Sequence, residues 1–425
     1  MMTSNRRALR FLSIFPLLLS SSFCAAQSWP PAVTPEALSV PVPEVKAPAL
    51  ADWTVMYFIN SKNNLESSGL MDMNQLELVG STDKVKITVE LGRMNGQEGD
   101  DHSEGDWTGV RRYLVEKDGD VSRIGSRILE DRGRADMGSW KELVSFIQWS
   151  KAAYPAHSYA LVLWDHGNGW KPVDTANSAD FNNLKGFSLD DETGHEFSMP
   201  QLAEALRVTG GVNFLMLDGC NMGMASVAYE LKGGAEAMTA SEETEPGVVV
   251  RYAQFLGMLN TRPAMGAEEF AANTVSTYKD YFVNLGGDPE GAPVTQSALR
   301  LGKMNAFRVK LDAWAVAAMK AERPVLLRAK GKAKVFGEDP DYKDLYDFVG
   351  LVTDGTRDPA LKALGADVMR FVKDELVIAN WAQDAVSHGV SIYVPDSFYH
   401  PLYSTLAFSR DGRWDDFAKY IATLK

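Results

Sequence analysis

An α/β sandwich, with a mostly parallel central sheet flanked by helices, is the fold class that this sequence predicts. Residues 55–59, 86–91, 159–164, 213–217 and 237–240 read as strands, several of them apolar at nearly every position, as strands buried on both faces are. Amphipathic stretches with helical spacing fall between them, at 139–154, 199–208 and 222–231. The resulting alternation is that of parallel strands joined by crossover helices, a layout in which functional residues gather just past the carboxyl ends of the strands.

The chain opens with segments outside that pattern. Arg6, Arg7 and Arg10 precede the apolar run 11–19, and Ala25 and Ala26 follow it, the layout of a secretory signal peptide over 1–26. The run is far shorter than the roughly 20 residues that cross a bilayer, and no later segment supplies such a span. An exported protein without stable membrane insertion, periplasmic or secreted, is therefore expected. Cys24 raises lipid attachment, which Phe23 opposes because such signals want a small residue there. Residues 27–50 carry Pro30, Pro31, Pro35, Pro41, Pro43 and Pro48 with little charge, and read as an extended linker or pro-segment. The folded part is expected as one large domain over 51–300 and a smaller C-terminal lobe over 301–425 that completes the fold. Helical patterns in that lobe run over 306–321, 358–383 and 414–424.

Composition narrows the partners. The formal net charge is -13, and loss of the arginine-bearing signal makes it more negative. Phosphate binding needs a basic face, so nucleic acid is excluded as a partner class, whereas cationic substrates are attracted. Of the two cysteines, Cys24 leaves with the signal, and Cys220 then has no partner for an intrachain disulfide. A lone thiol in an exported protein is either buried and inert or kept for its reactivity.

Two corners bear on that choice. Residues 161–170 (LVLWDHGNGW) end a buried strand in His166, with Gly167 and Gly169 allowing a sharp turn and close approach to a ligand. Residues 214–223 (FLMLDGCNMG) end another in Cys220, with a helix expected at once, which would set the sulfur near a positive helix N-terminus. A histidine alone after a strand is commonly structural. A thiol at a second such corner changes the reading, because a neighbouring imidazole makes a thiol nucleophilic near neutral pH. His166 precedes Cys220, the order of caspase-type enzymes and the reverse of papain-like ones.

Further segments extend the pattern: 53–66 (WTVMYFINSKNNLE), 240–247 (ASEETEPG), 344–348 (DLYDF) and 389–395 (GVSIYVP). With the histidine box 166–170 and the cysteine box 218–223, the chain resembles the clostripain family of cysteine peptidases, relatives of the caspases, gingipains and separases. It departs from that pattern at Asn168, Gly219 and Asn221, and after Gly247, where VVVRY stands in place of a common Gly-Trp.

The resemblance implies a caspase-like fold and an endopeptidase acting on protein or peptide substrates. Cys220 would attack the carbonyl, His166 would hold the thiolate as an ion pair and then protonate the leaving amine, and backbone N–H groups of Cys220 and Gly167 would hold the oxyanion. It also implies that Asp218 forms the base of the pocket for the residue before the scissile bond and favours arginine or lysine. Glu242, with Glu243 and Glu245, would add negative potential at the rim. Other readings stand beside these: Asp218 as a helix cap, and the chain as a silent exported peptide-binding protein, or as an amidase or transpeptidase. Asp165, beside His166, is not assigned a catalytic role.

The chemistry requires no cofactor. Asp190, Asp191 and Glu192, or Asp100, Asp101, Glu104 and Asp106, could hold Ca2+, as in some relatives, although neither group has the spacing of an established calcium loop. His102, His157, His195, His388 and His400 lack zinc-ligand spacing. Some relatives are cut between the two boxes, where Lys171, Lys185 and Arg207 lie, and Lys185–Gly186 is the most loop-like of these.

Overall fold

The computed structural model describes residues 50–171, 186–247, 249, 251–289, 293–337 and 339–425. The expected signal segment with Cys24, residues 27–49 and Lys185 lie outside the described residues. Among the described residues, no helix is long and apolar enough to cross a membrane.

In chain order the elements are β1 (Ala51–Ser61), α1 (Glu66–Glu77), β2 (Val85–Arg93), β3 (Gly109–Leu114), β4 (Ile128–Gly133), α2 (Trp140–Ala153) and β5 (Ala156–Trp164). Then come β6 (Phe187–Asp190), β7 (His195–Phe197), α3 (Met199–Val208), β8 (Phe214–Asp218), α4 (Ala225–Leu231), β9 (Ala237–Ala240), α5 (Tyr252–Thr261), α6 (Ala267–Asn284) and β10 (Thr295–Arg300). The remainder adds α7 (Met304–Ala318), α8 (Arg323–Lys332), β11 (Val335–Phe336), β12 (Asp339–Asp344), α9 (Leu345–Gly355) and α10 (Pro359–Phe371). It closes with β13 (Val377–Ala382), β14 (Ser391–Tyr393), α11 (Ala407–Asp411) and α12 (Trp414–Ala422).

A nine-stranded sheet runs in the order β13, β10, β9, β8, β5, β1, β2, β3, β4. Its centre, β9 to β2, is parallel, while β10 and β13 on one side and β3 and β4 on the other pair antiparallel. Side chains of a strand alternate between faces, and here both faces are buried. Met56, Phe58, Leu161, Leu163, Leu215 and Leu217 pack into the layer that holds α2, α3, α4 and α7. Val55, Tyr57, Ile59, Val162, Phe214 and Met216 pack into the other, against α1, α5 and α6. Burial of each such side chain is worth roughly 1.5–3 kcal/mol, so both faces of the parallel strands are held by packing.

Helix entries follow from local chemistry. Ser198 caps α3 in a reciprocal box with Gln201, and Pro200 sits in its first turn. Asp344 caps α9 by accepting from Asp347 N–H at 2.7 Å.

Two expectations need correction. The pattern at 222–231 yields a helix only from Ala225, so Asn221 to Met224 separate Cys220 from α4 and the sulfur is not at a helix N-terminus. Asn221, at φ 59°, occupies the left-handed region, which a helix cannot continue through. The pattern at 358–383 is helical only to Phe371; a π-turn over Val372–Leu376 leads into β13. Strand pairing with β10, from Thr295 opposite Ala382 to Leu299 opposite Val377, overrides the helical periodicity there. Through β13 the C-terminal part joins the main sheet, and the described residues from Leu50 to Lys425 belong to one compact unit.

Candidate active site

The carboxyl ends of neighbouring strands β1, β5, β8 and β9 deliver Asn64, His166, Cys220 and Glu245 to one edge of the sheet. Strands β5 and β8 are in register with Trp164 opposite Asp218, and Asp165 N–H donates to Asp218 O at 3.2 Å just beyond them. The two corners touch. A Cβ placed on Gly167 would lie 2.9 Å from Cys220 O, and one on Gly219 would lie 2.5 Å from Asp165 O and 3.3 Å from Gly167 N. Gly219, where alanine is common in the family, is thus glycine because the histidine corner leaves no room for a methyl group.

Asp165 holds the histidine corner from beneath. Its buried carboxylate accepts from His166 N–H at 2.6 Å and from Asn63 Nδ2 at 2.7 Å. Asn63 also donates to Leu189 O at 2.9 Å, so β1, β5 and β6 are tied at one point. The next residue, Asn64, reaches the imidazole itself, with 2.7 Å between its Oδ1 and His166 Nε2. With the amide oxygen as the partner, which can only accept, the tautomer assigned to the neutral ring carries its proton on Nε2 and leaves Nδ1 basic. Burial lowers the His166 pKa, favouring that neutral form.

Cys220 is half-buried, and its Sγ accepts from Glu245 N–H at 3.3 Å. Burial, opposed by that N–H and aided by the Glu245 and Glu243 carboxylates, pushes the thiol up to about 11. Burial therefore favours the neutral thiol beside a neutral imidazole, not the thiolate–imidazolium pair that the resemblance implied. Its loop is stitched to the exit of β9: Asn221 N–H donates to Glu243 O at 3.0 Å, Gly223 N–H to Ser241 O at 2.6 Å, and Asn221 Nδ2 to Glu242 O at 2.8 Å. Those bonds account for Asn221 in place of an apolar residue.

Asp218 does not cap α4, whose N-cap is Met224. Its Oδ1 accepts from Arg251 Nη2 at 2.9 Å, and its Oδ2 from the Tyr252 hydroxyl. Arg251 is only 1% exposed and also lies 3.7 Å from Glu245 Oε2. Burial first, then the neighbouring Asp218, raises the Glu245 carboxyl to about 8. Glu242 is not at a rim: it is buried, accepts from Gly389 N–H at 2.8 Å, and sits against Asp344. Glu243 is buried too, bonded to Gly337 N–H and 3.7 Å from Lys334 Nζ. This charge run does not form the exposed rim that was expected, because each acid of the segment finds an internal partner.

Sequence reasoning gave no role to Asn64, Arg251 or Tyr252. Asn64 lies in a segment singled out for its resemblance, and a polar pair after a buried strand was the available signal. Arg251 follows Gly247 where the familiar Gly-Trp is missing, and no local pattern tied it to Asp218.

The acids named for calcium are largely engaged elsewhere. Lys62 Nζ lies 2.8 Å from Asp190 and 2.7 Å from Glu192, which fills that site with an ammonium and leaves it unfit for a cation. Asp101 accepts from Ser103 N–H and Glu104 from Ile124 N–H. Asp100 and Asp106 do meet, with His102, their donor atoms within 4.8 Å of one another at the surface. Of the basic residues named for processing, Arg207 lies in α3 paired with Glu204, and Lys171 Nζ is held by Asp339 and Asp341.

A thiol and an imidazole on touching corners at the carboxyl edge of an α/β sandwich put this chain among the cysteine peptidases. Residues 57–421 match the clostripain family, C11, and the chain belongs to it. The clostripain of Hathewaya histolytica is 26% identical over 220 residues, which cover 47% of this chain and 40% of that relative. A secreted C11 cysteine protease from Bacteroides thetaiotaomicron, solved with an irreversible peptide inhibitor, superposes with TM-score 0.61 at 19% identity, covering 87% of this chain and 99% of its own. An inactive zymogen C11 protease from Parabacteroides distasonis gives TM-score 0.61 at 18% identity, over 86% of this chain and 99% of its own. At these identities the likeness concerns the fold, which is the caspase-like sandwich expected from the sequence.

Proposed function

We propose that the chain is an exported cysteine endopeptidase that hydrolyses peptide bonds after arginine or lysine through a thioester acyl-enzyme. The observation that carries this reading is the contact between the His166 and Cys220 corners, with Nε2 committed to Asn64 and Nδ1 left to take a proton. Substrate binding brings the imidazole to the sulfur; His166 accepts the thiol proton as Cys220 attacks, then passes it to the leaving amine. Water, deprotonated by the same ring, releases the acyl group. Gly167 and Cys220 N–H groups are assigned to the oxyanion, a role typically worth about 3 kcal/mol per donor. Asp218 reads the basic side chain, with the Glu245 carboxyl behind it. The thiol and imidazole supply nucleophile, base and acid between them, so no cofactor is required, and hydrolysis should survive a chelator.

Export is supported by the layout of residues 1–26, and Lys185–Gly186 is the bond at which processing is proposed: a new N-terminus at Gly186 would support it, and an uncut active enzyme would dismiss it. The silent-binder reading is disfavoured, since such a protein needs neither His166 nor Cys220. The deciding experiment profiles the mature protein on a peptide library beside Cys220→Ala and His166→Ala. Cleavage after arginine or lysine, lost in both variants, is expected; retained cleavage in either removes the assignment.

A further inference from the structure

The acid assigned to the substrate's basic side chain already holds a cation. Arg251 Nη2 lies 2.9 Å from Asp218 Oδ1, and the guanidinium stacks 4.5 Å from the Tyr278 ring centroid. A structural arginine in a protein interior is usually held by a bidentate fork with its remaining donors satisfied. Arg251 is not: only Nη2 is bonded, and its buried Nε and Nη1 have no hydrogen-bond partner among the described residues. A second acid stands ready for it, because Glu245 Oε2 is 3.7 Å away. Glu245 also bears the N–H that holds the Cys220 sulfur, so the short stretch from Glu245 to Arg251 touches both the specificity acid and the nucleophile.

We infer that Arg251 is a specificity-determining residue, an internal cation that Asp218 keeps until a substrate's arginine or lysine takes its place. The inference rests on the reading of Asp218 given above. Two cations compete for one carboxylate, so the preference for basic over neutral side chains is smaller than an open acid would give. On displacement, Arg251 moves its contact to Glu245. A neutral side chain leaves the Asp218–Arg251 pair intact and is indifferent to the exchange.

The test uses the mature chain with Arg251→Met and Arg251→Gln, assayed on matched peptides that carry arginine or glutamine before the scissile bond. Removing the competitor leaves Asp218 open, and the ratio of kcat/KM for arginine over glutamine should rise at least about tenfold, mainly through KM. Arg251→Gln keeps an amide donor for Asp218 and guards against loss of folding in the methionine variant. A ratio that stays at the parental value or falls, in a variant with the parental thermal midpoint, overturns the inference and leaves the peptidase reading standing. A parent with no Cys220-dependent cleavage of any peptide removes both.

Discussion

Titration of the resting thiol offers the sharpest check on the site as described. With Cys220 pushed up to about 11 from an ordinary 9.0, its thiolate fraction at neutral pH is about a hundredfold below that of a free cysteine, on the order of 10⁻⁴ at pH 7. A thiolate of higher pKa is intrinsically more nucleophilic, with a Brønsted slope of roughly 0.4–0.5, which returns about eightfold. The net expectation is alkylation roughly tenfold slower than a free thiol at pH 7. Because the group must lose a proton to react, the rate should climb about tenfold per pH unit and keep climbing past pH 9. The assay is iodoacetamide labelling of the Cys220 peptide followed by mass spectrometry, from pH 5.5 to 10.5. A rate already high and flat between pH 5.5 and 7.5 would refute the reasoning, since it would mean that His166 holds a thiolate before any substrate arrives.

Other substitutions test the supports. Gly219→Ala must open a 2.5 Å contact with Asp165 O, at a cost of roughly 1–3 kcal/mol, and should lower both the thermal midpoint and kcat/KM. An alanine variant as stable and active as the parent would show that the corners are not in contact. Asn64→Ala frees the imidazole to rotate and should reduce kcat roughly tenfold to a hundredfold with KM little changed; an unaltered kcat would remove the orienting role. Asp165→Ala leaves His166 N–H and the Asn63 amide without their acceptor and should destabilise the fold by about 1–3 kcal/mol in urea denaturation.

The strands that carry the site were legible because burial on both faces writes itself as unbroken apolar runs, as at 160–164 and 214–217. The two corners were legible because glycine beside a reactive side chain at a strand end is a local signal. Long-range pairing was not. Arg251 meets Asp218 across a stretch of sequence with no periodic relation between them, and Lys62 reaches Asp190 from another strand end. Glu242 and Glu243 read as rim acids because their partners, Gly389, Gly337 and Lys334, are far away in the chain. The 358–383 pattern failed for a related reason: residues 377–382 take their conformation from β10, not from their own spacing.

The bond from Glu245 N–H to the Cys220 sulfur makes that single amide a built-in clock. Its proton can trade with solvent only when the sulfur lets go, so deuterium uptake there times how often the nucleophile comes loose, in the absence of any peptide. Ligands that free the thiol should quicken that exchange and those that lock it should slow it, allowing inhibitors to be sorted by the state they trap without measuring turnover.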